Sequence, residues 1–270
     1  MEPASITICE PDWGNHLKMA AALMGNLIEK VRVWHVIVMA VLALAFTLYL
    51  FEITNLDLIL QDRFYTGHES GWTVDSKAPI PRMIFYTGPK SCLILIGFGL
   101  LGFILASFMK SFTGLQKYRR GLCFILLTAL MVPAVVALIK ETSNVFCPYE
   151  LQRYGDQMPY YHLFENHSDT ISRQGRGFPA GHASGGFGLL GIGFIWRSTG
   201  GRVMGFSIPF ILGWIMGLYQ MLRGAHFLSH TIVTMEIAVI LTMSFYGVIF
   251  SGFSHFLISA GIFPDESEGK

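Results

Sequence analysis

The sequence predicts an all-α fold: a polytopic membrane helix bundle of six transmembrane helices with an external loop cap. Three observations predict it. The 270 residues are 52% hydrophobic and only 14% charged, with a mean hydropathy of +0.50, a balance that soluble domains rarely carry. Apolar runs recur along the chain, most of them near the ~20 residues that a helix needs to cross a bilayer. The 29 Gly, 22 Phe and 13 Met suit helices packed in lipid, where small residues permit close approach. The net charge of +1 provides no global basic field, so nucleic acid is not an expected partner. Cys9, Cys92, Cys123 and Cys147 show no CxxC spacing. Neither a zinc site nor a disulfide framework is therefore expected.

Residues 1–32 read as an N-terminal cytoplasmic or interfacial segment. Apolar positions recur there at Leu17, Met24, Leu27 and Val31, which fits an amphipathic helix lying on the cytoplasmic face. A loose lead-in to the first span fits the same residues equally well. No charged-then-apolar leader with a small-residue cleavage site is evident, and the first span reads as a retained anchor. Residues 33–82 comprise the first transmembrane helix and an external connector, in which Leu58-Ile59-Leu60 dips toward the interface. Residues 83–251 form the membrane core, and 252–270 a C-terminal tail that is polar from Pro264 to Lys270. The six spans are expected over 33–52, 90–109, 121–139, 182–197, 203–222 and 231–251. The fourth is the shortest and richest in glycine.

Positive charge orients the bundle. Lys110, Lys117, Arg119 and Arg120 lie between spans two and three. Arg197 and Arg202 lie between spans four and five, and Lys18, Lys30 and Arg32 precede span one. These are expected on the cytoplasmic side. Arg63, Lys77, Arg82, Lys90, Lys140, Arg153, Arg173 and Arg176 fall in the long opposite loops, where the rule is weaker.

Three short pieces emerge together on the non-cytoplasmic side. They are Lys140 with Cys147-Pro148, then Pro179-Ala180-Gly181-His182, then Arg223-Gly224-Ala225-His226 with His230. Lys140 or Arg223 alone reads as a snorkelling helix end, and each histidine alone as an interface residue. All of them on one face do not, because ionisable groups near lipid cost about 2.5–3.5 kcal/mol each on insertion scales. A phosphate ester needs cations, which Lys140 and Arg223 supply. It also gains from free backbone amides, which the helix opening at Gly181 presents. His182 fits the role of proton donor to a leaving oxygen, and His226 that of nucleophile. His226 and His230 also stand at the i, i+4 spacing of metal ligands. No glutamate follows the first histidine and no third ligand is evident, so no metal is expected.

These pieces resemble the motifs of the type 2 phosphatidic acid phosphatase superfamily, which also includes vanadium haloperoxidases and bacterial acid phosphatases. The family pattern is Lys, six residues, Arg-Pro; then Pro-Ser-Gly-His; then Ser-Arg, five residues, His, three residues, Asp. Here six residues separate Lys140 from Cys147-Pro148, Pro179-Ala180-Gly181-His182 follows, and three residues separate His226 from His230. The resemblance spans roughly residues 85–250. Cys147 stands for the family's Arg, Ala180 for its Ser, Gln220 for its second Arg and His230 for its Asp. Arg223, one turn later, is our own substitute for that second Arg. Similar Cys-Pro and Gly-Ala-His-Phe-Leu-Ser-His variants mark a bacterial membrane subgroup.

The resemblance implies a metal-independent, cofactor-free lipid phosphatase in a bacterial inner membrane, its site facing the periplasm. The implied substrates are lipid A phosphates, polyprenyl diphosphate or phosphatidylglycerol phosphate. By this resemblance Lys140 and Gly181 bind phosphate, His182 is the general acid and His226 forms the phosphohistidine. His230 takes the orienting place as a neutral hydrogen-bond acceptor. Arg173 and Arg176 read equally as phosphate ligands or as solvated loop charge. Residues 140–180 are expected to cap the site, with Tyr149, Tyr154, Tyr160 and Tyr161 at the interface. A phosphotransferase on the same scaffold, or a non-catalytic anionic-lipid binder or transporter, remain alternatives. The sequence leaves the oligomeric state open.

Overall fold

In the computed structural model, the described backbone comprises residues 13–67, 71–165, 173–196 and 198–251, with side chains described from residue 32 to 250 within those ranges. The amphipathic pattern at 13–31, Cys9, Arg197 and the tail at 252–270 lie outside the described side chains. The helices are α1 (Trp13–Ile53), α2 (Leu56–Gln61), α3 (Pro79–Arg82), α4 (Gly88–Ala106), α5 (Thr113–Gln116), α6 (Arg119–Thr142), α7 (Gly181–Phe187), α8 (Thr199–Leu222) and α9 (Leu228–Ser251). A π-helical turn over Met83–Thr87 joins α3 to α4. Strands β1 (Tyr65–Gly67) and β2 (Gly71–Trp72) form a small antiparallel hairpin. The protein is thus an all-α bundle.

Five segments are long and apolar enough to cross a membrane: Arg32–Ile53, Pro79–Ala106, Arg119–Thr142, Thr199–Leu222 and Leu228–Phe250. Their outer faces carry large apolar side chains; Phe98 and Leu138 are each 69% exposed. Only lipid covers such a belt without penalty, and the chain is an integral membrane protein.

The expected fourth span, a single helix over 182–197, is corrected. The structure has seven α-helical residues in α7 followed by seven 3-10 residues over Gly188–Phe194. The cause is glycine. Each glycine in a helix costs about 1 kcal/mol of propensity relative to alanine, so neighbouring helices decide the geometry. The 3-10 half is buried between α6 and α8, and a β-carbon on Gly191 would lie 2.8 Å from Thr128 Oγ1. The looser 3-10 rise compensates for the short sequence. Seven residues at ~1.5 Å and seven at ~2.0 Å reach roughly 25 Å, close to the hydrocarbon thickness.

Glycine also sets how this segment meets α8. A β-carbon on Gly213 would fall 2.4 Å from the Phe187 ring, and one on Gly186 would fall 2.5 Å from the Gly213 nitrogen. The two backbones therefore touch. Beneath the site, Val132, Ala180, Ala183, Phe187, Leu190 and Ala238 form a core joining α6, α7 and α9. On the other flank α1 packs along α9, where Thr47 Oγ1 donates to Glu236 Oε1 at 2.8 Å.

The two ends of the bundle differ. At one end Arg120 donates to the Ile249 carbonyl, and the Arg119 guanidinium lies over the Phe108 ring at 4.4 Å. At the other end lie the close of α6, the start of α7 and the α8–α9 corner. The described part of 143–180 covers that corner. Its anchor is Arg153, whose Nε and Nη2 reach Asp62 at 2.8 and 2.6 Å, with Tyr154 Oη donating to Asp62 at 3.0 Å. Within the connector, Ile59 is exposed while its neighbours turn toward the protein. Helix α2 packs inward, with Asp57 and Gln61 buried and Leu58 against the Phe146–Tyr154–Phe227 cluster.

Candidate active site

Helix α6 closes with Lys140 in its last turn, where a cation suits the helix dipole. The chain then reverses through Asn144, whose φ of 50° is left-handed. Asparagine tolerates that region better than most residues, and its Oδ1 accepts the Gly175 N–H at 2.8 Å. Residues 175–178 thus run beside 143–147: Gly177 N–H donates to the Val145 carbonyl and Ser143 Oγ to the Phe178 carbonyl. This segment leads to Ala180, whose N–H donates to the His230 carbonyl at 3.1 Å. This bond ties the start of α7 to the start of α9.

The α8–α9 corner is held from several sides. Gly224 has a φ of +71°, and a β-carbon there would strike the Trp72 ring at 2.2 Å. Its carbonyl accepts from Tyr149 N–H at 2.9 Å, and Gln61 Nε2 donates to the Met221 carbonyl at 2.8 Å. The corner carries His226, 5% exposed, one turn before His230, 2% exposed. Their Nδ1 atoms face each other at 3.4 Å. One ring donates and the other accepts, so the His226 Nε2 keeps its lone pair when His226 is the donor. Burial, with smaller contributions from His230 and Lys140, holds the His226 imidazole well below its usual value. It is neutral at pH 7, as a nucleophile requires.

His182 stacks on Tyr86, with centroids 3.9 Å apart and planes at 15°. The Arg223 guanidinium carbon lies 5.5 Å from the same Tyr86 ring and 5.9 Å from that of Tyr219. His182 is in the electrostatic reach of Lys90, Arg223 and Lys140, and His226 in that of Lys140 and His182. A β-carbon on Gly181 would lie 3.9 Å from Lys140 Nζ. The structure thus brings together Lys140, Gly181, His182, Arg223, His226 and His230. Three polar atoms here are buried without a partner among the described residues: His182 Nε2, Arg223 Nε and Tyr219 Oη. Each such atom costs about 1–3 kcal/mol unless a ligand or water satisfies it.

Arg173 and Arg176 stand apart from this group. Arg173 pairs with the buried Glu150, and Arg176 pairs at 2.7 Å with the exposed Glu141. Glu150 also accepts the Cys147 N–H at 2.8 Å. Burial first, then Glu150, pushes the Cys147 thiol up to about 12. Cys147 should therefore stay protonated and inert. A maleimide at neutral pH should leave it unlabelled until the protein is denatured, as read by peptide mass spectrometry; rapid labelling of the folded protein would contradict this.

Sequence reasoning missed Tyr86, Tyr219, Asp57 and Glu150, and treated Lys90 as loop charge. A cation or tyrosine at the mouth of an apolar span was the available signal for Lys90 and Tyr86. Those two residues and His182 sit at one end of a cavity of about 700 Å³. The cavity continues between α4 and α6 along Leu93, Gly97, Leu101, Leu126 and Leu130.

The class defined by this fold and site is a helical membrane protein with paired imidazoles and cations at one end of the bundle. Residues 121–252 match the family model described as the PAP2 superfamily, and that segment belongs to it. No curated protein and no solved structure gives a match. Membership supports phosphatase-type chemistry on a phosphate ester.

Proposed function

We propose that this protein hydrolyses a phosphate monoester or diphosphate carried by a lipid, through a phosphohistidine on His226 and without a metal. The observation that carries the lipid reading is the apolar cavity ending at His182 and Lys90. Acyl or prenyl chains fit its walls while the phosphate meets the cations and the three unsatisfied polar atoms. Lys140, Arg223 and the Gly181 backbone hold the phosphate oxygens, joined by Lys90. Arg173 and Arg176 would join them as phosphate ligands only by leaving Glu150 and Glu141. His226 Nε2 attacks phosphorus and the bond to the lipid oxygen breaks, that oxygen taking a proton from His182. Water then attacks phosphorus, gives a proton to His182, and the P–N bond breaks. Lipid A phosphates, polyprenyl diphosphate and phosphatidylglycerol phosphate are the substrate classes. The membrane is a bacterial inner membrane with the site facing the periplasm. Residues 83–251 act as the phosphatase core, with 1–32 cytoplasmic or interfacial, 33–82 adding the first helix and connector, and 252–270 as tail.

The test is phosphate release by the detergent-purified protein in EDTA. Long-chain lipid phosphates should be hydrolysed, and activity that vanishes with EDTA would overturn metal independence. Gly97 lines the cavity and has open space around its Cα. Gly97→Trp should therefore cut kcat/KM for long-chain substrates about 10-fold or more, while p-nitrophenyl phosphate turns over as before. Equal effects on both substrates would remove the lipid-chain assignment.

A further inference from the structure

This inference rests on the phosphatase reading and adds a residue to it from outside the family segment. The family's orienting carboxylate is absent here, since His230 occupies its place. A neutral imidazole accepts the His226 proton but supplies no negative charge when His226 becomes a phosphorylated, positively charged ring. A carboxylate nevertheless lies close by. Asp57, on α2, is 5% exposed. Its Oδ1 accepts the Ser229 N–H at 3.0 Å and its Oδ2 the Ser229 hydroxyl. Asp57 and His230 both line a cavity of about 30 Å³, together with Ser229, Tyr160 and His162. A water needs roughly 10–15 Å³ of such space and two or more polar partners. This cavity has both, and the ring that His226 faces lines it.

We infer that Asp57 is a positioning carboxylate for the His226–His230 pair, acting on His230 through water held in this shared cavity. As the His226 Nε2–P bond forms and the lipid P–O bond breaks, the leaving oxygen takes the His182 proton. The His226 ring then bears a positive charge and its Nδ1–H binds His230 more tightly. His230 passes that polarisation to the water, and the water to Asp57. The charge is balanced without a carboxylate on α9. Burial pushes the Asp57 carboxyl up to about 6, with Ser229 pulling the other way, so it stays largely ionised at pH 7.

Asp57 also caps the start of α9, and a cap alone would lower activity by loosening the helix. Asp57→Asn separates the two roles, because its amide oxygen still accepts from Ser229 while the charge is gone. Wild type, Asp57→Asn, His230→Asp and the double variant form a cycle, with p-nitrophenyl phosphate and a lipid phosphate as probes. In wild type, Asp57→Asn should lower kcat on the order of 10- to 100-fold with KM nearly unchanged. In the His230→Asp background, which carries its own carboxylate, the same change should cost about twofold at most, or raise the rate. Equal losses in both backgrounds, or no kcat loss in wild type, would overturn the role of Asp57 and leave the phosphatase reading standing. A wild type inactive on both probes would instead remove that reading. Melting curves of all four proteins show whether the fold is retained, and an unfolded Asp57→Asn is replaced by Asp57→Ser in the same cycle.

Discussion

Replacing His226 with Ala is expected to lower phosphate release on the order of 10⁴-fold or more, with little change in lipid binding. The reason lies in the environment of the ring. It is 5% exposed, its Nδ1 is turned to His230 at 3.4 Å, and burial keeps it well below its ordinary value of 6.5. A neutral imidazole beside a cationic pocket is a nucleophile without further activation. Because the ring stays neutral to low pH, the acid limb of kcat/KM attributable to it should lie below 6.5. Quenching the wild type in alkali during turnover should trap a phosphorylated peptide containing residue 226. Activity of His226→Ala within tenfold of wild type would rule out the covalent route.

Gly213→Val should prevent correct assembly of the bundle. The Gly213 α-carbon already meets the Gly186 backbone, and a first added carbon would stand 2.4 Å from the fully buried Phe187 ring. Phe187 has no escape, since Phe210 and Trp214 pack within 6.3 Å of its ring centroid. Overpacking commonly costs about 1–3 kcal/mol, and a clash with a fully buried ring that cannot move aside should cost about 3 kcal/mol or more. In lipid no hydrophobic drive repairs a parted helix pair, because close packing is itself the association force. The measurements are detergent-resistant monodispersity and melting temperature. Both should fall sharply, and His182 chemistry should fail with them, since Gly181–Phe187 carries that residue. A Gly213→Val protein melting like wild type would show that α8 moves away at no cost.

The recognisable motifs made much of the site legible in advance. Lys140, Gly181, His182, Arg223, His226 and His230 were named from spacing and from the side on which each span ends, and they do meet at one end of the bundle. The count of spans was less legible. Apolar length gives six spans, the fourth the shortest and richest in glycine, whereas Gly188, Gly191 and Gly193 leave 188–194 to be shaped by Thr128 and Phe206 on its neighbours. Arg173 was an ambiguous loop charge. Its pairing with Glu150 required the fold of 147–150, which no periodicity announces.

Sequence by itself determined the membrane class, the superfamily and the shared side of the three motifs, because hydrophobic length and motif order are properties of the chain read one span at a time. Tertiary structure alone decided the stacking of Tyr86 on His182, the inward turn of α2 that puts Asp57 on a cavity shared with His230, and the apolar cavity that reaches Lys90. Those arrangements join residues far apart in the chain, and they depend on which side chains fit together once the helices are packed. That fit is a matter of volume and hydrogen-bond geometry in three dimensions.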